Sequence, residues 1–267
     1  MTVRRACPPE LAAQAARLRA LGSRVADRIG GTFTALEYAK RNRKAYEFLK
    51  QFSGAASDAY DAAADELREL ARKADAAFAQ EAERIGVALN AKPQPWKKRN
   101  GVYHYFAKLP AQDTRRGRPR TAREHDAEAG GLLERLQAEA RSKGYTLIYT
   151  ETNWQGKDLT RLLLFPTAQE AACIAAGGTN ADNYGMGPRE IVNWCAETRT
   201  SHPFVIVGAG FDFMELEFSR PLANAAAVAR RIAIFCPDCG INPDDGPAIA
   251  RFAQELACQG TCFFWWD

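Results

Sequence analysis

The chain has 267 residues, of which 46% are apolar, 10% aromatic and 25% charged, and its formal net charge is +4. This ordinary globular composition excludes wholesale disorder, a collagen-like repeat and a small disulfide scaffold. The sequence contains no run of about 18 apolar residues, so no membrane-spanning helix is predicted. Seven cysteines, with no apolar leader near the first residue, predict a reducing, cytoplasmic location.

The first 90 residues are predicted to be helical, because Ala, Leu, Glu, Arg and Lys dominate them. Helices are expected over residues 8–30, 35–52 and 57–89. In the third helix, spacings of three, four and seven place one apolar stripe on Leu67, Leu70, Ala74, Phe78, Ile85 and Leu89. Such a helix is too long to be covered by a small globule alone, so we expect a helical hairpin or bundle that supports homo-oligomer formation.

Residues 91–130 are predicted to be a basic linker. Ten Lys and Arg residues accompany a single acid, Asp113, between Ala91 and Arg123, and Gly101–Ala107 alternates like a short strand. An AT-hook-like run offers nucleic-acid contacts from Arg115, Arg116, Arg118 and Arg120. A solvated linker between modules is the favoured interpretation of this run, because a lone copy of five residues is a weak match.

From residue 131 the pattern mixes strands and helices. Strands are expected over 145–151, 159–165, 204–208, 211–218 and 262–266, and helices over 131–143, 188–197, 221–235 and 247–258. This order predicts an α+β fold in which an N-terminal helical hairpin or bundle (1–90) and the basic linker (91–130) precede an α+β sandwich (131–267). Its sheet is expected to be mixed or antiparallel.

The net charge of +4 conceals a division along the chain. Residues 145–267 carry 8 basic and 14 acidic side chains, a net charge of −6, whereas the other 144 residues carry a net charge of +10. Such an asymmetry indicates two modules with different partners, or two parts that dock on each other.

The cysteines allow three interpretations. Cys236 and Cys239 are separated by 18 intervening residues from Cys258 and Cys262, a spacing that permits a tetrahedral zinc site. The second pair spans a predicted helix end and strand start, and the surroundings are apolar. Buried, unmetallated cysteines are therefore favoured over zinc, and a regulatory disulfide is the third alternative. We expect no other cofactor.

Carboxylates and aromatic residues supply the remaining candidates. Asp212, Asp238 and Asp244 offer oxygen ligands for Mg²⁺ or Ca²⁺, although turn or helix-capping bonds are favoured for Asp238 and Asp244. No nucleophile elbow, phosphate-binding loop or dinucleotide fingerprint is present. The closing aromatic residues, Phe263 to Trp266, stack a ligand or, as is favoured, fill both faces of a buried strand.

An ordered series of short motifs runs through the C-terminal part. The series comprises Thr179-Asn180, Asn183-Tyr184, Trp194, Gly208 to Asp212, Cys236-Pro237-Asp238, Asp244-Asp245-Gly246 and Trp265-Trp266-Asp267. It resembles family 4253 of the bacterial domains of unknown function, over about residues 132–267. The chain departs from the family pattern at Ala181, at Asp245 and in an insertion around Cys239 to Asn242. Only Cys236 of the four proposed zinc ligands falls on that pattern. The resemblance implies a fold and a candidate surface, and it implies no reaction.

The motif residues are polar or aromatic and lie on loops and element ends. The candidate site comprises Thr179, Asn180, Asn183, Tyr184, Trp194, Asp212, Cys236, Pro237, Asp238, Asp244, Gly246, Trp265, Trp266 and Asp267. These residues form either one acidic, amide-rich pocket beside the tryptophans or a hydrogen-bond network that fixes the loops and the C-terminus, and the network is slightly favoured.

Three functions follow from these observations. The first is a non-enzymatic module that binds a basic protein, in an accessory role such as toxin neutralisation. The second is a divalent-metal-dependent hydrolase or nuclease that uses Asp212, Asp238 and Asp244. The third is DNA tethering through the Arg-rich linker. The first is favoured, so the expected partner is another protein rather than nucleic acid or a membrane.

Overall fold

The computed structural model describes residues 54–96, 101–109, 131–151, 154–157, 159–170, 173–174 and 179–266. The helices predicted over 8–30 and 35–52, the arginines of the linker and Asp267 lie outside the described residues. The chain divides into two compact units, one ending at Arg84 and the other beginning at Ile85.

The first described element is the long helix α1, Gly54–Ala88, which confirms the prediction of a helix over 57–89. Phe78, Ala82 and Ile85 are buried at spacings of four and three residues, as the apolar stripe requires. On the polar side, Arg72 Nη2 lies 2.8 Å from Glu69 Oε1, a pairing within one helical turn. The partner helices that a hairpin or bundle needs lie outside the described residues, so that arrangement stays a prediction.

Seven strands form one sheet in the order β1-β2-β4-β3-β5-β6-β7. Their bounds are Gln94–Pro95 (β1), Tyr103–Ala107 (β2), Thr146–Glu151 (β3), Thr160–Phe165 (β4), Phe204–Ala209 (β5), Phe213–Phe218 (β6) and Thr261–Trp265 (β7). The pairing of β3 with β5 is parallel, and the other neighbours are antiparallel. The sheet is therefore mixed, and the predicted combination of helices and strands is confirmed.

The strand predicted inside the basic linker belongs to this sheet. β2 pairs with β4 along its whole length, from Tyr103 opposite Leu164 to Ala107 opposite Thr160. The side chains of Tyr105 and Ala107 are buried, which anchors the strand. The sheet thus includes strands that lie within residues 91–130, and the division of the chain into a linker and an α+β domain stays a prediction.

Four helices of this unit have both ends within the described residues, and residues 173–174 are also helical. The four are Leu132–Ser142 (α2), Pro188–Ser201 (α3), Ala225–Phe235 (α4) and Gly246–Gln259 (α5). α4 begins four residues later than Pro221, where the sequence places its start. The reason is a cap, since the side chain of Asn224 accepts a hydrogen bond from Ala227 N at 3.1 Å. Among the helices described, none combines the length and apolar composition that crossing a membrane requires.

The two faces of the β6–β7 pair have different surroundings. On one face the Cys195 thiol of α3 donates to the Met214 sulfur at 3.9 Å. On the same face the Phe264 ring contacts the Trp194 ring edge-on, with 5.4 Å between the ring centroids. This face is covered by α3 and α4. The opposite face carries Phe213, Glu215, Phe263 and Trp265, because side chains alternate along a strand.

Candidate functional site

Three segments meet at the C-terminal end of β5. Asn180 donates its backbone N–H to Phe211 O at 2.6 Å and its side-chain amide to Trp266 O at 3.1 Å. Trp266 in turn donates its backbone N–H to Asp212 O at 2.8 Å. The Thr179–Asn180 loop, the turn before β6 and the chain end after β7 are therefore bound to one another.

A second group of bonds fixes the segment after α4. Tyr184 donates its hydroxyl to Asp238, and the buried Cys236 thiol donates to Trp265 O at 3.0 Å. Pro237 begins the short 3₁₀ turn that presents Asp238. Tyr184 lies on a 3₁₀ turn of its own, Ala181–Tyr184, whose Asn183 N bonds to Asn180 O at 3.2 Å.

The geometry among these residues is that of an interlocked network. Thr179 is buried and accepts from Ala181 N at 3.1 Å, so its hydroxyl serves the turn. The cavity that Thr179 and Trp266 help to line has a volume of about 10 Å³, close to what one water molecule needs. Trp266 is 1% exposed, and no described residue accepts a hydrogen bond from its indole Nε1. This cavity, between Thr179 and Trp266, has room for no more than one water molecule.

Trp194 belongs to the covered face of the sheet. Its ring stacks on Phe235 at 4.4 Å, and Phe235 meets Trp266 edge-on at 5.8 Å. Three aromatic side chains from α3, α4 and the chain end thus pack in the core beneath the network. Trp194 serves this packing.

The opposite face carries a row of stacked aromatic rings across three strands. Tyr149 on β3 lies 5.3 Å from Phe213 on β6, which lies 5.5 Å from Phe263 on β7, and Trp265 follows at 6.4 Å. The interplanar angles are 22°, 14° and 21°. We call Tyr149, Phe213, Phe263 and Trp265 the aromatic row.

Gly208 makes the inner end of the row possible. A Cβ on Gly208 would lie 2.4 Å from the Tyr149 ring, so only glycine lets Tyr149 cross β5 and reach Phe213. The Tyr149 hydroxyl donates to the buried carboxylate of Glu215, which fixes the ring at its far end.

The outer end of the row is open to solvent. Phe263 and Trp265 are each 42% exposed, and Phe211, in the turn before β6, is 61% exposed. We call Phe263 and Trp265 the edge surface. The interpretation that the closing aromatic residues fill both faces of a buried strand is wrong, because only Phe264 and Trp266 are buried.

The carboxylates proposed as metal ligands are dispersed. Asp238 accepts a hydrogen bond from the Tyr184 hydroxyl. Asp244 is exposed, and its backbone N–H donates to the side-chain oxygen of Asn242 at 3.0 Å. Among the described residues, no three His, Cys, Asp or Glu side chains are placed to hold a metal ion. The cap of α5 is Asp245, whose side chain accepts from Ala248 N at 3.1 Å, and not Asp244.

Asp212 has a different acidic neighbour. Burial raises the pKa of Glu151 at the end of β3, the charge of Arg161 opposes that rise and the charge of Asp212 adds to it. Asp212 therefore lies near the carboxylate of Glu151, at the end of the sheet where the network forms.

The four cysteines do not assemble into the proposed zinc site. Cys236 and Cys262 are buried, whereas Cys258 is exposed on α5. Burial raises the pKa of the Cys236 thiol to about 11 and raises those of Cys239 and Cys262 as well. Cys236 and Cys262 therefore pack as buried groups, and the Cys236 thiol donates its hydrogen bond to Trp265 O.

Several residues of this surface were not singled out in the sequence. Tyr149 comes from β3 whereas Phe213 and Glu215 come from β6, so no local pattern connects the ring of Tyr149 to the other two. The available signals were the alternation of Phe263 and Trp265 and the pair Gly208 and Gly210, which leaves room for rings from neighbouring strands. Trp265 is the member of the predicted site that lies on the aromatic row.

The fold and the site thus define an α+β domain with an interlocked C-terminal end and an exposed aromatic edge. Residues 161–267 match the model of the family described as Domain of unknown function (DUF4253), so the resemblance is confirmed for this part of the chain. The match begins at Arg161, later than the Leu132 expected from the motifs. No curated protein and no solved structure matches the chain.

Proposed function

We propose that the domain is a non-enzymatic, protein-binding module whose docking site is the edge surface. The observation that supports this proposal is the stacked pair Phe263 and Trp265, partly exposed and preordered by Phe213. Stacked rings lose little side-chain entropy on binding, which is why aromatic residues concentrate at protein interfaces.

The charge around the surface favours a basic partner. Residues 145–267 carry a net charge of −6. Glu217, one strand in from the edge, pairs with Thr261, and Asp238 lies on the 3₁₀ turn that contacts β7. Aromatic faces attract Lys and Arg by cation–π contact, so charge and rings select the same partner. An accessory role, such as neutralising a basic toxin, is compatible with this surface.

The two other functions have less support. A hydrolase that uses Asp212, Asp238 and Asp244 needs these carboxylates around one ion, and the described residues hold no such group. Nucleic-acid binding rests on Arg115, Arg116, Arg118 and Arg120, which lie outside the described residues.

The test is a titration of the isotope-labelled protein with two short peptides and an oligonucleotide. The basic peptide alternates Lys and Val over eight residues, the acidic control alternates Glu and Val, and the oligonucleotide is single-stranded oligo-dT. We expect the basic peptide alone to shift the Trp265 indole N–H resonance, with affinity falling as salt rises.

The matched variants are Trp265→Ala and Trp154→Ala. We expect the first to weaken binding of the basic peptide by about tenfold or more, as for an aromatic residue at the centre of an interface. The second removes a tryptophan from the β3–β4 connection and should leave the affinity unchanged. Equal binding of the basic and acidic peptides, or a shift with oligo-dT alone, contradicts the proposal.

A further inference from the structure

The hydrogen-bond register of β7 determines which of its backbone groups face outward. Trp266 N bonds to Asp212 O at 2.8 Å, and Phe218 N bonds to Gly260 O at 2.7 Å. In an antiparallel pair, inward and outward residues alternate, so Cys262 and Phe264 point their N–H and C=O groups at β6. The backbone groups of Thr261, Phe263 and Trp265 therefore point away from the sheet.

This outward edge is only partly covered. β7 is the last strand of the sheet, and the Cys236 thiol occupies Trp265 O. No described residue makes a hydrogen bond to the outward N–H or C=O groups of Thr261 and Phe263. Native sheets usually protect such an edge with charged side chains, proline or a covering loop. Here the same strand presents two exposed aromatic rings.

The side chains and charges at this edge fit an extended basic segment. A new strand beside β7 would place alternate side chains on the face of Phe263 and Trp265, next to the half-buried Glu217. Glu217 on β6 and Asp238 on the 3₁₀ turn that contacts β7 place carboxylates near this edge, and carboxylates attract Lys and Arg.

We propose that β7 binds its partner by strand addition: an extended segment rich in Lys and Arg pairs with the backbone of Thr261 and Phe263 and sets its side chains on the aromatic row. This inference rests on the proposed function and names its mode of binding. The main-chain bonds provide affinity, and the rings with the neighbouring carboxylates provide selection for a basic sequence.

The first test is amide hydrogen exchange on the wild-type protein. At saturating concentrations of the alternating Lys–Val peptide, we expect exchange at Phe263 to slow by about tenfold or more. The Phe264 amide, already bonded to β6, should change little. Unchanged exchange at Phe263 while the Trp265 indole resonance shifts overturns strand addition.

The second test separates the backbone from the ring. Phe263→Pro and Phe263→Ala both remove the ring, but only proline removes the outward N–H and fills the space beside it. Proline at an outward edge position breaks no bond to β6, so both variants should keep the fold. We expect the proline variant to bind the basic peptide about three- to tenfold more weakly than the alanine variant.

The outcomes distinguish the two proposals. Equal affinities for the proline and alanine variants overturn strand addition, while a basic-peptide response that depends on Trp265 still supports the module. Absence of any response to the basic peptide overturns both. Protection of Phe263 that grows with protein concentration, without peptide, assigns the edge to a second copy and overturns the peptide as occupant.

Discussion

At the scale of single residues, the aromatic row depends on the absence of one side chain. Gly208 lies on the interior strand β5, where glycine ordinarily weakens a strand. Glycine is required here because the Tyr149 ring lies where a Cβ of residue 208 would be. The Tyr149 hydroxyl is bonded to the Glu215 carboxylate, which keeps the ring in that position. A ring held at one end by a buried carboxylate and stacked on Phe213 has no room to move aside.

Gly208→Ala should therefore destabilise the domain. The added methyl would meet Tyr149 ring atoms at 2.4–2.9 Å, and overpacking of this kind costs about 1–3 kcal/mol or more. The measurement is the free energy of unfolding from urea titration. Gly246→Ala is the matched control, because its Cβ meets no atom within 4 Å and Gly246 begins a helix. Equal stability of the two variants would show that Tyr149 does not restrict Gly208.

At the scale of elements, the start of α5 separates two adjacent aspartates. Asp245 Oδ1 accepts from Ala248 N at 3.1 Å, whereas Asp244 contributes only its backbone N–H to a bond with Asn242. Asp245→Ala should lower the free energy of unfolding by about 1 kcal/mol, the usual value of a helix cap. Asp244→Ala should leave it nearly unchanged, as measured by urea titration. The reverse order would show that Asp244 is the cap.

A buried carboxylate fixes strand β5 to α3. Glu170 accepts a hydrogen bond from Ile206 N at 2.9 Å and pairs with Arg199, whose guanidinium lies 4.6 Å over the Phe204 ring. Burial nevertheless raises the pKa of Glu170 above its usual value, because desolvation outweighs the attraction of Arg199. The folded state thus binds this proton more tightly than the unfolded state.

The raised pKa of Glu170 gives a pH dependence with a definite sign. Because the folded pKa exceeds the unfolded one, this group makes the free energy of unfolding fall as pH rises from about 4.5 through the folded value. Glu170→Gln keeps an acceptor for Ile206 N and removes the titration. The stability of the wild type relative to this variant should therefore decrease between pH 4.5 and 7.5. A constant difference in urea midpoints would contradict the prediction.

Elements were predictable from the sequence where neighbouring residues determine them, and were not where tertiary contacts do. α1 and the β3–β4 hairpin were predictable from period and turn residues. The start of α4 was placed too early, since a favourable proline at Pro221 competed with the Asn224 cap. β1, with two residues, is too short for any pattern. The pairing of β2 with β4 depends on tertiary structure, so the alternating pattern of β2 alone does not predict which strand is its neighbour.

At the scale of the whole molecule, the family match covers only part of a sheet. It begins at Arg161, whereas β3, which pairs with β5, ends at Glu151. A fragment of residues 161–267 would expose the β5 edge and leave Glu215 without the Tyr149 hydroxyl. We expect this fragment not to unfold cooperatively, whereas residues 85–267, which include all seven strands of the described sheet, should do so. Circular dichroism during urea titration measures both, and a cooperative transition of the short fragment would refute the expectation.

Part of the candidate site was predictable from the sequence, and its form was not. Asn180, Asp212 and Trp266 meet, as their positions at element ends indicated, but through backbone groups and the Asn180 side-chain amide, whose bonds no sequence motif specifies. The aromatic row required knowledge of which strands are neighbours. Tyr149 and Trp265 are 116 positions apart, so only the sheet order brings them onto one face.

The parallel pairing of β3 with β5 also has a consequence for how the chain folds. The β3–β4 hairpin is complete at Phe165, but the partner for the other side of β3 begins only at Phe204, after α3. Until β5 arrives, β3 presents an apolar, unpaired edge. Non-local pairing of this kind slows folding and prolongs exposure to aggregation, so the closure of the sheet at β5 is the step at which synthesis and folding compete with misassembly.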